Sequence, residues 1–122
     1  MSSKEFDRRS KGRSKRTKST GEGLLQQSAA GLLAGKVDKA IQDLRRALNM
    51  GYDDSAVHFM LCGAEMSRGN LSAAARHAED TIIRTPEGRR GIAFFTLGAI
   101  HDAMGATDEA LRAYRKSLTE YE

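Results

Sequence analysis

Apolar residues between positions 37 and 50 recur at the spacing of an amphipathic helix. They are Val37, Ala40, Ile41, Leu44, Ala47 and Leu48, whereas Lys36, Lys39, Asp43, Arg45 and Arg46 occupy the other positions. Steps of three and four residues place the apolar set on one face of a helix and the charged set on the opposite face. The whole chain divides in this way into six predicted helices, at about 22–34, 37–50, 54–68, 71–84, 88–104 and 107–121. No segment shows the alternation of a β-strand.

Polar and helix-breaking residues separate the predicted helices. Asp53, Asp54 and Ser55 precede Ala56 and can cap the third helix with a side-chain oxygen. The sequence Thr-Pro-Glu-Gly at 85–88 interrupts the chain after the fourth helix. Either Thr107 or Asp108 can start the last one. These signals favour short connections between helices.

A six-residue pattern occurs three times along the chain. The copies are Gly35-Lys36-Val37-Asp38-Lys39-Ala40, Gly69-Asn70-Leu71-Ser72-Ala73-Ala74 and Gly105-Ala106-Thr107-Asp108-Glu109-Ala110, separated by 34 and then 36 residues. A period of this length is typical of helical repeat arrays, in which each unit packs mainly on its neighbours. The same alignment brings the small residues Ser28, Cys62 and Gly98 into register. Small residues at equivalent positions allow a bulky side chain of a second helix to approach closely.

These motifs resemble the tetratricopeptide repeat (TPR) family, whose unit is two antiparallel helices, A and B, joined by a tight Gly-containing turn. The third copy matches best, through Phe94, Leu97, Gly98, Gly105, Ala110, Tyr114 and Leu118, and the second keeps Leu61, Gly69, Ala74 and Pro86. The first and second copies depart from the family pattern at Gly31 and His58, where an aromatic residue is usual. The resemblance implies an all-α fold of three tandem repeats in a short right-handed superhelical array. The predicted TPR domain is 21–122, with repeats at about 21–54, 55–88 and 91–122.

In the TPR family the ligand surface is the inner wall of the superhelix, formed mainly by the A helices. The resemblance places there Leu25, Ala29, Leu32, Phe59, Gly63, Met66, Ile92, Phe95, Ala99 and Asp102. This set is apolar except for Asp102, which favours a groove for an apolar or amphipathic segment of another protein. We expect Phe59, Met66, Ile92 and Phe95 to be its anchors. The alternative is that these side chains pack on one another, or that the N-terminal segment covers them.

One known ligand class of the family does not fit this chain. Some members bind the C-terminal carboxylate of chaperones through Lys, Asn and Arg side chains on the A helices. The corresponding positions here are Leu25, Ala29, Met60, Ile92 and Thr96. None of these carries a positive charge, so an acidic C-terminal peptide is a poor candidate ligand.

Positive charge is concentrated in the first twenty residues. Residues 1–20 carry a net charge of +6 and the remainder −2, within a chain total of +4. With Phe6 as their only large aromatic residue, they are predicted to form a disordered basic tail. The tail residues that could contact a nucleic acid or an anionic membrane are Arg8, Arg9, Lys11, Arg13, Lys15, Arg16 and Lys18. The alternative is a solubilising leader without a ligand.

The chemistry-bearing residues do not predict an enzyme. His58, His77 and His101 lie on three different predicted helices, and the chain contains no His-Glu-x-x-His, no Cys-x-x-Cys and no phosphate-binding glycine loop. His58 and His101 are interpreted as packing residues, His77 as a surface residue and Cys62 as a packing residue. We therefore predict no catalytic residue, metal, cofactor or small-molecule substrate.

The sequence as a whole predicts a non-enzymatic adaptor or scaffold that binds, presents or chaperones another protein. The first alternative is a protein associated with nucleic acid or an anionic surface through its basic tail. The second is a self-assembling scaffold, a homo-oligomer formed through repeat ends that no extra helix caps. No apolar run has the roughly 20 residues that span a bilayer, and no secretory signal is evident, so a cytoplasmic location is expected.

Overall fold

A computed structural model describes residues 21–120, which form six α-helices and no β-strand. The helices are α1 (Gly21–Leu33), α2 (Val37–Asn49), α3 (Ser55–Ser67), α4 (Leu71–Ile83), α5 (Gly91–Ala103) and α6 (Thr107–Thr119). The all-α prediction and its six helices are confirmed. The basic tail predicted for residues 1–20 lies outside the described residues, as do positions 121 and 122.

The three recurring glycines make the turns within the helix pairs. Gly35, Gly69 and Gly105 have φ values of 78°, 79° and 77°, a left-handed conformation that costs glycine little because it lacks Cβ. After α3, the N–H of Gly69 donates to the Met66 carbonyl and the N–H of Asn70 donates to the Glu65 carbonyl. The turns after α1 and α5 repeat both hydrogen bonds. This is the Schellman motif, and it explains why the glycine recurs at the same point of each copy.

Two predictions about helix starts have different outcomes. Asp54 caps α3 as expected, because its Oδ1 accepts a hydrogen bond of 3.1 Å from the Val57 N–H. The fifth helix begins at Gly91, three residues after the approximate start predicted at 88. The Glu120 carboxylate accepts hydrogen bonds from the N–H groups of Gly88 and Arg90, at 2.7 and 3.2 Å. These contacts with the end of α6 hold the preceding residues in a turn.

The chain divides into two compact units between Tyr52 and Asp53. In the first, α1 packs on α2. Its buried residues include Leu24, Ser28, Ile41 and Leu44, and the Ser28 hydroxyl donates to the Leu24 carbonyl at 2.6 Å. The apolar stripe predicted on α2 therefore faces the interior.

In the second unit, α3 packs on α4, α4 on α5, and α5 on α6. Its core contains Cys62, Ala74, Ala75, Ala78, Leu97, Ile100 and Ala113, with Leu71 and Ile82 packed against it. Four of these seven buried core residues are alanines, so the helices can approach one another closely. The expected packing role of Cys62 is confirmed. Gly98 also meets a bulky partner as predicted, because a Cβ at that position would lie 2.7 Å from the Tyr114 ring.

Candidate functional site

Four of the residues that the sequence predicted for the groove lie along α5, on the side of the helix away from its buried residues. Ile92 and Phe95 are 66% and 58% exposed, Asp102 is exposed, and Ala99 is half-buried. They occur at steps of three and four residues, whereas Ala93, Leu97 and Ile100 on the opposite side are buried. The Phe95 ring lies against that of Tyr114, with centroids 5.3 Å apart and an interplanar angle of 55°. This contact orients Phe95 without burying it.

The outward face of α3 carries a second exposed apolar set. Phe59 and Met66 are 39% and 38% exposed, and Gly63 lies between them, also exposed. Val57, Leu61 and Cys62 on other sides of the helix are buried. An exposed Met beside an exposed Phe offers an adaptable apolar surface.

A cleft of about 280 Å³ brings part of these two sets together. It is lined by Ser55, Ala56, Phe59, Thr81, Thr85, Arg89, Ile92 and Ala93, which belong to the start of α3, the end of α4, the connection that follows α4 and the start of α5. Phe59 and Ile92 are therefore neighbours at one opening. Met66 and Phe95 are not among the lining residues. The guanidinium of Arg89 supplies the charge at this cleft.

The predicted groove residues of the first unit lie on α1. Leu25, Ala29 and Leu32 are all half-buried there. A larger cavity of about 550 Å³ in the same unit is lined instead by Gln27, Ala30, Gly31, Ala34, Lys36, Lys39, Ala40 and Asp43. Sequence reasoning missed this cavity. Gly31, which stands where the family has an aromatic residue, was the signal that could have indicated it.

A group of polar side chains joins the beginning of α3 to the end of α4. His58 Nε2 lies 2.5 Å from Asp53 Oδ1, and His58 Nδ1 lies 3.2 Å from His77 Nδ1. Arg84 donates from Nη2 to Asp53 Oδ2 at 3.0 Å and from Nη1 to Asp80 Oδ1 at 3.2 Å, and its Nε lies 2.9 Å from Asp53 Oδ1 in an ion pair. His58 is buried as expected, but it is part of a hydrogen-bonded cluster. The interpretation of His77 as a surface residue is wrong, because its half-buried ring contacts that of His58.

The cluster changes the acid–base properties of two of its members. Hydrogen bonds from Arg84 and then from His58 lower the pKa of the Asp53 carboxyl. Burial, followed by the charge of His58, lowers the pKa of His77. Asp53 is thus held as an acceptor for His58, and the His77 ring is favoured in its neutral form.

Cys62 is expected to react slowly with alkylating reagents in the folded protein. Burial raises the pKa of its thiol from 9.0 to about 11, so the thiolate is roughly 100-fold scarcer near neutral pH. Iodoacetamide at pH 7.5 should therefore modify the folded chain at least about 100-fold more slowly than the urea-unfolded chain. Mass spectrometry over time measures both rates on this one thiol. Equal rates would contradict the burial of Cys62.

Comparisons with known proteins support the fold. No protein-family model matches the chain. No curated protein matches it. Among solved structures, the crystal structure of MamA, a TPR-like helical repeat protein, superimposes with a TM-score of 0.78 at 23% sequence identity. The match covers 84% of this chain and 59% of that one, so the chain spans well under two thirds of its neighbour's length.

None of the helices in the described part of the chain is both long enough and apolar enough to cross a bilayer. The six helices and the structural neighbour together identify the fold of this chain as a helical repeat of the TPR type.

Proposed function

We propose that this protein is a non-enzymatic adaptor, and that the exposed apolar faces of α3 and α5 bind an apolar or amphipathic segment of another protein. The observation that carries the proposal is the exposure of Phe59, Met66, Ile92 and Phe95, four large side chains at helical spacing on two helices of one unit. Large contiguous apolar surfaces on folded proteins commonly mark interaction sites. Helical repeat proteins also use their stacked helices as extended binding surfaces.

The cleft at the start of α5 suggests how such a segment would be seated. Phe59 and Ile92 both line this cleft, and Arg89 adds a positive charge to the same lining. An apolar side chain of the partner would fill the space between Phe59 and Ile92. An acidic residue next to that side chain would pair with Arg89. We therefore propose an amphipathic helix carrying an acidic residue beside its apolar face.

A double substitution tests this proposal directly. Phe59→Glu/Phe95→Glu places charges on both helix faces at exposed positions and should leave the helices intact. Central aromatic residues often contribute 2 kcal/mol or more to an interface, so partner binding should fall at least about 30-fold. The measurement compares partners captured from the source cell lysate by the intact and variant chains, followed by titration of the captured partner.

A matched control separates the proposed surface from apolar exposure in general. Ile83→Glu/Leu118→Glu adds the same charge at two other exposed apolar positions, on α4 and α6. It should capture the partner as well as the intact chain does, and circular dichroism should show equal helicity for all three proteins. Equal capture of the partner by the Phe59→Glu/Phe95→Glu variant and by the intact chain would reject the proposal.

The basic N-terminal segment is the second candidate, because residues 1–20 carry a net charge of +6. A chain lacking residues 1–20 should still bind the partner through the exposed faces of α3 and α5. If binding is instead lost when residues 1–20 are removed, and if it weakens steeply with salt, the ligand is a nucleic acid or an anionic surface that contacts the basic segment. Self-assembly would appear as a concentration-dependent mass in the absence of any partner.

A further inference from the structure

Two neighbouring helices aim three metal-binding atoms at a common point. We propose that His58 on α3, with His77 and Asp80 on α4, forms a binding site for a divalent transition-metal ion, for which Zn²⁺ is the best match. His58 Nδ1 lies 3.2 Å from His77 Nδ1 and 3.8 Å from Asp80 Oδ2, and the three residues each offer one ligand atom within 4.8 Å of the other two. His77 and Asp80 are three residues apart on α4 and thus share one face of that helix.

These distances suit a tetrahedral ion. Zn²⁺ binds imidazole nitrogen and carboxylate oxygen at about 2.0–2.2 Å, so two of its ligand atoms are separated by roughly 3.3–3.5 Å. The two measured separations from His58 Nδ1 lie on either side of that value. Small rotations of the side chains would complete the geometry, and three protein ligands leave the fourth position for water.

The neighbours of His58 prepare its Nδ1 to be a ligand. Metal binding requires the neutral form of the His58 ring, and in that form the Asp53 carboxylate, which can only accept a hydrogen bond, places the ring hydrogen on the Nε2 that faces it. In this neutral tautomer the lone pair of His58 Nδ1 is on the side of His77. A carboxylate behind a metal-binding histidine is a common arrangement, because it fixes the orientation of the ring and makes the nitrogen more basic. Arg84 in turn holds Asp53 through both of its oxygens.

His77 and Asp80 are positioned to complete the ligand set. The short separation of the two Nδ1 atoms requires one hydrogen between them, and with His58 as the acceptor that hydrogen belongs to His77. A metal ion would replace it, and the His77 hydrogen would move to Nε2 without a change in the charge of the ring. Asp80 uses Oδ1 to accept from Arg84, which leaves Oδ2 on the side of His58.

Charge and access also favour a cation at this point. Asp53 and Asp80 bring two negative charges, of which Arg84 balances one. The His58 ring is buried, whereas His77 and Asp80 are half-buried, so an ion can reach the site from solvent. Two imidazoles with one carboxylate suit zinc and its transition-metal neighbours better than Mg²⁺ or Ca²⁺, which prefer oxygen ligands.

The test uses the full chain without an affinity tag, because its sequence contains only three histidines and one cysteine. Co²⁺ binding is followed by visible absorption, and Zn²⁺ binding by competition with a chromophoric chelator. The site variants are His77→Gln and Asp80→Asn, both at half-buried positions, and the matched control is His101→Gln on α5. Circular dichroism verifies that each variant is folded.

We expect one Zn²⁺ per chain in the wild type and in the His101→Gln control. Loss of a metal-site partner commonly costs 10- to 100-fold in affinity, so each site variant should bind at least about tenfold more weakly. Zn²⁺ should also raise the midpoint of thermal unfolding of the wild type and the control. The increase should be much smaller for the site variants. Absence of saturable binding by the wild type would overturn the proposal, as would unchanged affinity in both site variants.

Discussion

Replacing Ile100 with alanine is expected to lower the free energy of unfolding by about 2–5 kcal/mol. Ile100 has an exposed fraction of 0% and belongs to the core shared by the helices of the second unit. Removing its three outer carbon atoms loses the favourable free energy of transferring them from water to the core, and it leaves a cavity. The neighbouring core residues Ala74, Ala75 and Ala78 have no long side chains that could move to fill it. We therefore expect a loss toward the larger end of this range.

Ile92→Ala is the matched control for this prediction. It makes the same chemical change on the same helix, but the Ile92 side chain is mostly exposed. Its effect on the free energy of unfolding should stay within about 0.5 kcal/mol. Urea titrations followed by circular dichroism measure both variants. Similar losses for the two would show that the assignment of the buried and exposed faces of α5 is wrong.

The same control also bears on function. If α5 binds a partner through its exposed face, Ile92→Ala should weaken that binding although stability hardly changes. The two isoleucines of α5 therefore separate a role in packing from a role in recognition.

Gly98→Ala is expected to destabilise the protein by about 1–3 kcal/mol, the usual cost of inserting a methyl group into a packed region. A Cβ at this position would lie 2.7 Å from two carbon atoms of the Tyr114 ring, so that ring would have to shift. The shift would disturb its contact with Phe95. Alanine is a better helix former than glycine by roughly 1 kcal/mol, but the steric cost should exceed that gain.

Gly63→Ala is expected to raise the stability of the protein, whereas Gly98→Ala should lower it. Gly63 also lies within a helix, but a Cβ there would meet no other atom within 4 Å. Only the helix propensity then changes, and we expect stability to rise by about 0.5–1 kcal/mol. Thermal and urea unfolding of the two variants side by side provide the measurement. A stabilising effect of Gly98→Ala would mean that Tyr114 moves aside at no cost.

Local signals in the chain were sufficient to predict the helices. The amphipathic stripe of 37–50, the recurring glycine and the capping residue Asp54 each act over a few residues, so their structural effect can be derived without the rest of the fold. The helix start that differs most from its prediction is that of α5, and the residues before it donate hydrogen bonds to Glu120. Its carboxylate approaches Gly88 from 32 positions further along the chain. Local reasoning has no means of anticipating such a contact.

The candidate surfaces on α3 and α5 were also predicted in part from the sequence, and in part they depend on tertiary packing. The resemblance to the TPR family placed Phe59, Met66, Ile92 and Phe95 on the ligand-facing side of their helices, and all four side chains are exposed in the structure. The cleft between Phe59 and Ile92 depends in addition on how α3, α4 and α5 pack. Its lining residues were therefore only partly predicted.

The sequence by itself determined the six helices, the glycine turn within each helix pair and the apolar face of α2, because these follow from periodicity and from the conformational freedom of glycine. Only the tertiary structure decided that His58 and His77, nineteen positions apart, meet beside Asp53, Asp80 and Arg84. The pairing depends on how α3 and α4 lie against each other and on the rotation of each about its axis. Those quantities are set by packing over the whole unit, and no short stretch of residues encodes them.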